Sequence, residues 1–127
     1  MSDAPNLEIV NDTAKLIMHR LIARRLAQDA SLAERAKVCH AHISARHPGR
    51  PFVRDWNQLL ALSANQLRRL LTSRNAEMNR LRLSSPFVIT DGIDFTDLAL
   101  RRRIRRAAKR VVERGIAARR AGISAIA

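Results

Sequence analysis

The sequence predicts an all-α fold, a small bundle of five to six helices that ends in a long basic helix. Three observations point there. Apolar residues recur at spacings of three and four along most of the chain, the period of a helix buried on one side. Gly and Pro number four each, too few for the many turns of an all-β chain. The formal charge of +13 is concentrated at one end: residues 1–50 carry +3, residues 51–97 carry +1 and residues 98–127 carry +9.

At 127 residues the chain suits a single core, organised as a helical region over 1–97 followed by a basic helix over 98–127. Apolar residues make up 46 %, yet the aromatics are only Phe52, Trp56, Phe87 and Phe95. The core is therefore expected to be aliphatic.

Val10, Ala14, Ile17 and Leu21 mark one face of a first helix from Leu7 to about Gln28. A second begins after Ser31, where "SLAE" offers a capping box closed by Glu34, and carries the stripe Leu32, Ala36, Cys39, Ile43. "HPGRP" (47–51) ends it, because Pro48 disfavours helix at His47 and Gly49 loosens the turn. A third helix runs from about Val53 to Ala61 with Val53, Trp56 and Leu60 on one side. Ser63 caps a fourth, with Gln66 completing a capping box and Leu67, Leu70 and Leu71 on its apolar side. "SRNAEMNRLRL" (73–83) reads as a separate short helix with Met78 and Leu81 inward.

"SSPFVITDGIDFTD" (84–97) interrupts the helical pattern. Asp91-Gly92 between "FVIT" and "IDF" signals a short β-hairpin over 87–95; the alternative is an irregular loop whose Asp94 or Thr96 caps the next helix. The last helix spans about Asp97 to Arg120, with the stripe Leu100, Ile104, Ala107 or Ala108, Val111, Gly115, and the terminal "AGISAIA" is expected to fray.

"LLALSANQLRRLL", Leu59 to Leu71, resembles the widespread helix-turn-helix pattern, in which LLG is followed by a small apolar residue and a Ser that opens the recognition helix. The resemblance covers about 20 residues, with the motif at about 53–72, and points to no particular family. Ala61 stands where glycine is usual. Within it Leu59 and Leu60 close the supporting helix, while Leu67 and Leu70 pin the recognition helix to the core. The resemblance implies that Ala64, Asn65, Gln66 and Arg69 face DNA bases, since Asn and Gln pair bidentately with adenine and Arg with guanine. Arg68 and Arg74 would reach phosphates. The competing reading is a plain corner between two amphipathic helices.

"RRRIRRAAKRVVERGIAARR" places Arg101, Arg102, Arg103, Arg105, Arg106, Lys109 and Arg110 around a narrow apolar line, as a phosphate-contacting helix would. A dimer seam along Leu100, Ile104, Val111 and Gly115 is a second reading, compatible with the first. A membrane-surface helix is disfavoured by the lack of Trp or Phe on that face. Lysine occurs only at 15, 37 and 109, which reflects either the use of the guanidinium fork on phosphates or a GC-rich genome. Double-stranded DNA is preferred over structured RNA, and single-strand binding is disfavoured by the scarcity of aromatic stacking platforms.

Cys39 and His42, with His40 and His47 nearby, have ligand-like spacing but no partners to complete a metal set. No phosphate loop, nucleophile elbow or HExxH occurs, so neither enzymatic activity nor a metal or other cofactor is expected. A lone cysteine, an acidic polar start and no apolar run near the roughly 18 residues of a membrane span suggest a cytoplasmic protein. The expectation is a bacterial, sequence-specific DNA-binding regulator or accessory factor, acting as a homodimer. The alternatives are an interaction module (an antitoxin, an anti-activator or a secretion-system component) whose basic helix docks on an acidic protein, and sequence-neutral nucleic-acid binding.

Overall fold

Six α-helices account for most of the chain in a computed structural model that describes residues 6–126, with side chains described through Gly122. They are α1 (Leu7–Gln28), α2 (Ser31–Arg46), α3 (Pro51–Leu60), α4 (Ala64–Leu71), α5 (Ala76–Leu81) and α6 (Leu98–Ile126). Two 3₁₀ turns, Arg82–Ser84 and Pro86–Val88, lie between α5 and α6. None of the helices is long and apolar enough to cross a membrane, among the described residues.

α1 is the hub. It packs against α6 along most of its length, against α4 on another side, and against α2, α5 and both 3₁₀ turns. Its buried residues are Val10, Leu16, His19, Ile22, Ala23 and Leu26. The expected face of Ala14, Ile17 and Leu21 is only partly buried beside them. A helix enclosed from several directions buries more than one stripe, so a single-face reading understates it.

α6 runs antiparallel to α1: Arg105 donates to Asn11 at 3.0 Å, and further along Ala108 and Val112 close on Val10. Its buried line is Ile104, Ala108, Val112, so the predicted stripe is correct at Ile104 and one residue out of phase at Val111, which is 43 % exposed. Ile104, a residue of the expected dimer seam, is buried in the main core cluster with Ile22 and Leu26 of α1. The helix does not stop near Arg120 but continues to Ile126, about 15 Å past Ile116 at 1.5 Å per residue.

The expected capping box at Ser31 does not form. Asp29 takes that role, accepting from Ser31 N (3.1 Å) and Ser31 Oγ (2.6 Å), while Glu34 pairs with Lys37 at 3.0 Å. Arg35 then bridges Asp29 to the carbonyl of Asp91. α2 buries Leu32, Ala36 and His40, whereas Cys39 is half-buried. His40 is held from another helix: its Nε2 lies 3.0 Å from the Val53 carbonyl of α3, while its Nδ1 is buried without a partner.

No strand occurs among the described residues, so the 87–95 hairpin is replaced by the irregular alternative. Gly92 does not turn a hairpin. It lets the loop approach α2, where a Cβ would come within 3.0 Å of Leu32 Cδ1. Asp97, rather than Asp94 or Thr96, caps α6 by accepting from Ala99 N at 3.1 Å. Asp94 instead accepts from Thr96 N and Oγ1 in the preceding turn.

Trp56, fully buried, ties α3 to α5 by donating to the Leu81 carbonyl at 3.1 Å. Met78 and Leu81 are buried as expected, and Asn75 caps α5 through Met78 N. Two polar residues at the centre were not anticipated. Arg82, with 0 % exposure, donates to the carbonyls of Leu71 (3.0 Å) and Ser73 (2.7 Å) and to Asn79 Oδ1. It thereby supplies a donor to the orphan Leu71 carbonyl at the end of α4 and another to the loop that follows. Burial draws this guanidinium below its usual value, yet arginine remains charged. Arg82→Met leaves those carbonyls buried without donors and is expected to cost about 3 kcal/mol in urea unfolding. Arg80→Met, losing only an exposed 3.6 Å pair with Asp55, should cost less than about 1 kcal/mol.

His19, also fully buried, donates from Nδ1 to the Lys15 carbonyl at 2.7 Å, and burial depresses its pKa to about 4. Because the unfolded histidine titrates near 6.5, the unfolded state binds the extra proton between these values. Stability should therefore fall as pH drops from 6.5 to 4 and show no further His19 contribution below that, a loss of about 3 kcal/mol. The carboxylates of Asp29 and Asp94, held below their usual 3.8 chiefly by the Ser31 and Thr96 hydroxyls, add their loss only at lower pH. Urea midpoints across pH 4 to 7 should slope for the wild type and flatten for His19→Gln.

Candidate nucleic-acid interface

α4 is eight residues long, too short to persist alone, so its position depends on its ends and its neighbours. Its N-terminus carries the predicted capping box: Ser63 Oγ accepts from Gln66 N (3.2 Å), and Gln66 Oε1 accepts from Ser63 N (3.2 Å). Its C-terminus is held by Arg82. Leu67 and Leu71 are fully buried and Leu70 only partly, so Leu71 rather than Leu70 joins Leu67 in fixing the helix. α4 packs chiefly on α1, and α3 chiefly on α2 and α5. The two helices flanking Ala61–Ser63 are thus braced by different partners and share one core cluster through Leu59, Leu60, Leu67 and Leu71.

Ala64, Asn65, Gln66 and Arg69 are all exposed. They are not equivalent. Gln66 spends its carbonyl oxygen on the cap, leaving the amide NH₂ available, whereas the bidentate adenine contact needs both ends. Asn65 and Arg69, four residues apart, share a face and line a cleft of about 600 Å³ with Arg68 and Thr72. The opposite wall belongs to α1: Arg20, Ala23 and Arg24. Arg68 crosses the gap, its Nε donating to the Ala23 carbonyl at 3.0 Å. That bond fixes the side chain and leaves its two terminal nitrogens without partners among the described residues.

Arg74 is exposed and lines a second cleft of about 280 Å³ with Asp12, Arg20, Asn79 and Val111 of α6. Arg20 borders both clefts, so the two adjoin on α1, and the second reaches α6 at Val111.

On α6, Arg101, Arg102, Arg103, Arg105, Arg106, Lys109 and Arg110 are exposed. None forms an ion pair among the described residues. Arg103, Arg106 and Arg110, at i, i+3 and i+7, form a line opposite the buried stripe, spanning about 10 Å. Arg105 is oriented by Asn11 and, with Arg101 and Lys15, borders a third cleft beside Phe95 and Ile104.

Arg20 and Arg24 escaped the sequence reading. Their signal was present, two arginines four apart on a helix otherwise apolar at that register, but only the packing of α4 reveals which seam they occupy. No three His, Cys, Asp or Glu side chains cluster as metal ligands among the described residues. Comparisons with protein families, characterised proteins and solved structures found no match.

The cap and the face of α4 are separable. Ser63→Ala should lower stability by about 1 kcal/mol in urea unfolding, and Gln66→Ala should lower it in the same direction. Asn65→Ala, exposed and outside the cap, should stay within about 0.5 kcal/mol of wild type.

Proposed function

We propose that this protein binds double-stranded DNA sequence-specifically, as a regulator or accessory factor. In this reading α3 and α4 act as a helix-turn-helix, Asn65 and Arg69 contact bases, and the arginines of α6 hold the backbone. The observation that carries it is the exposed pair Asn65 and Arg69 beside Arg20, Arg24 and Arg68, in a cleft that no acidic side chain lines. A polar helix face with that composition offers base-edge donors and acceptors flanked by phosphate-binding cations, the division of labour that DNA recognition requires.

The test must spare the fold. Removing α6 would uncover Val10, Ala14 and Ile17, so a truncation would confound loss of charge with loss of structure. Arg103→Gln/Arg106→Gln/Arg110→Gln removes three outward charges and leaves Ile104, Ala108 and Val112 in place. By fluorescence anisotropy on duplex DNA across a salt series, the triple variant should bind more weakly, with a log–log salt slope smaller by about 3. Asn65→Ala should leave that slope unchanged and relax preference among duplexes selected by the wild type. Unchanged preference would reduce the reading to sequence-neutral binding. Absence of any duplex binding at low salt would remove it in favour of an acidic protein partner.

A further inference from the structure

The cleft between α1 and α4 holds four arginines: Arg20 and Arg24 from one wall, Arg68 and Arg69 from the other. Arg20, Arg24 and Arg69 make no hydrogen bond or ion pair among the described residues, and Arg68 is engaged only through Nε. Asp12, in the adjoining cleft past Arg20, is the nearest acidic side chain among the residues bordering the two clefts. Fully buried Arg82 lies within electrostatic reach of Arg20, but Asp12 is its stronger and opposing neighbour, so the uncompensated charge is that of the four cleft arginines. The C-terminal end of α4 offsets only part of this, about half an elementary charge. Like charges gathered without counter-charges work against folding, and an oxyanion seated among them relieves the repulsion.

The geometry favours phosphate in particular. Guanidinium forks present paired donors that match a tetrahedral oxyanion, and four of them face one another across a cleft of about 600 Å³. The Arg68 bond to Ala23 holds one fork in place before any ligand arrives. Arg20 and Arg24 lie one helical turn apart on α1, about 6 Å along its axis.

We infer that this cleft is a phosphate-binding site, in which Arg20 and Arg24 of α1 grip backbone phosphate oxygens next to the bases that α4 contacts. It rests on the proposed DNA reading for the source of the phosphate, whereas the chemistry of the site does not. α1 is thereby a third DNA-contacting element, and it sets how deeply α4 enters the groove.

The experiment compares the full-length wild type, Arg20→Gln/Arg24→Gln, and a charge-matched control, Arg25→Gln/Arg46→Gln, whose exposed residues do not line the cleft. Duplex binding is read by anisotropy across a salt series, and urea midpoints check that each variant folds. In parallel, inorganic tripolyphosphate is titrated against each protein while the thermal midpoint is followed. The cleft variant is expected to lose tenfold or more in affinity, equally for preferred and random duplexes, with a salt slope lower than that of the control by about 2.

If the two variants bind DNA alike, the inference is overturned and the DNA reading stands. If the wild type ignores duplex DNA but tripolyphosphate raises its midpoint in an Arg20- and Arg24-dependent way, the DNA reading falls. The cleft is then a site for a free polyphosphate. If neither ligand depends on these two residues, the inference is overturned whatever the wild type binds. Should the double variant fail to fold, Arg24→Gln alone, at an exposed position, carries the same comparison with a slope change of about 1.

Discussion

Everything else in this protein is arranged around the enclosure of α1. With few aromatics available, the core is built by packing other helices around one 22-residue helix, each of them contributing two or three buried apolar side chains. α6 covers one side, α4 another, and α2, α5 and the 3₁₀ turns close the remainder. The enclosure dictates where charge can go. α1 carries Lys15, Arg20, Arg24 and Arg25, and a cation is costly to bury without acceptors such as those that Arg82 finds, so the cations of this enclosed helix emerge at the seams between its neighbours. Arg20 and Arg24 emerge beside α4, and Lys15 beside α6. The basic clefts are thus a geometric outcome of how the core is built.

The same enclosure separates what could be read from the sequence from what could not. Local devices were legible: the helix bounds of α1, the Ser63–Gln66 box, the stop at His47–Pro51 and the restart of helix at α5 all follow from short-range chemistry. Non-local choices were not. Val111 and Val112 are chemically identical neighbours, and only the position of α1 decides which one is buried. His40 enters the core in place of Cys39 because the Val53 carbonyl, thirteen residues away, gives its ring a partner. Asp91-Gly92 is a sound hairpin signal locally, but the loop is captured by Leu32 and Arg35 of α2. Arg82 looks in sequence like one more surface arginine, and nothing local announces that it will be fully buried under the end of α4.

The candidate interface was legible in part for the same reason. The outward register of α4 follows from its leucines, so Asn65 and Arg69 could be placed on its face without a structure. At Gln66 the two sequence expectations compete: the cap takes its carbonyl oxygen, so the base contact that the resemblance implies loses its acceptor. The arginines of α6 could be assigned to the solvent side in bulk. Which of them stand over α1, and which look away from it, depended on the one-residue phase of the helix.

Arg82 has a consequence that reaches past stability. With a capping box at one end and a buried guanidinium at the other, α4 is a pinned rod of two turns whose backbone is ordered before any partner arrives. A surface prepared in this way pays its conformational entropy during folding. Association through α4 would then carry the modest heat-capacity change of its contact area alone, without the larger signature of a segment that folds as it binds.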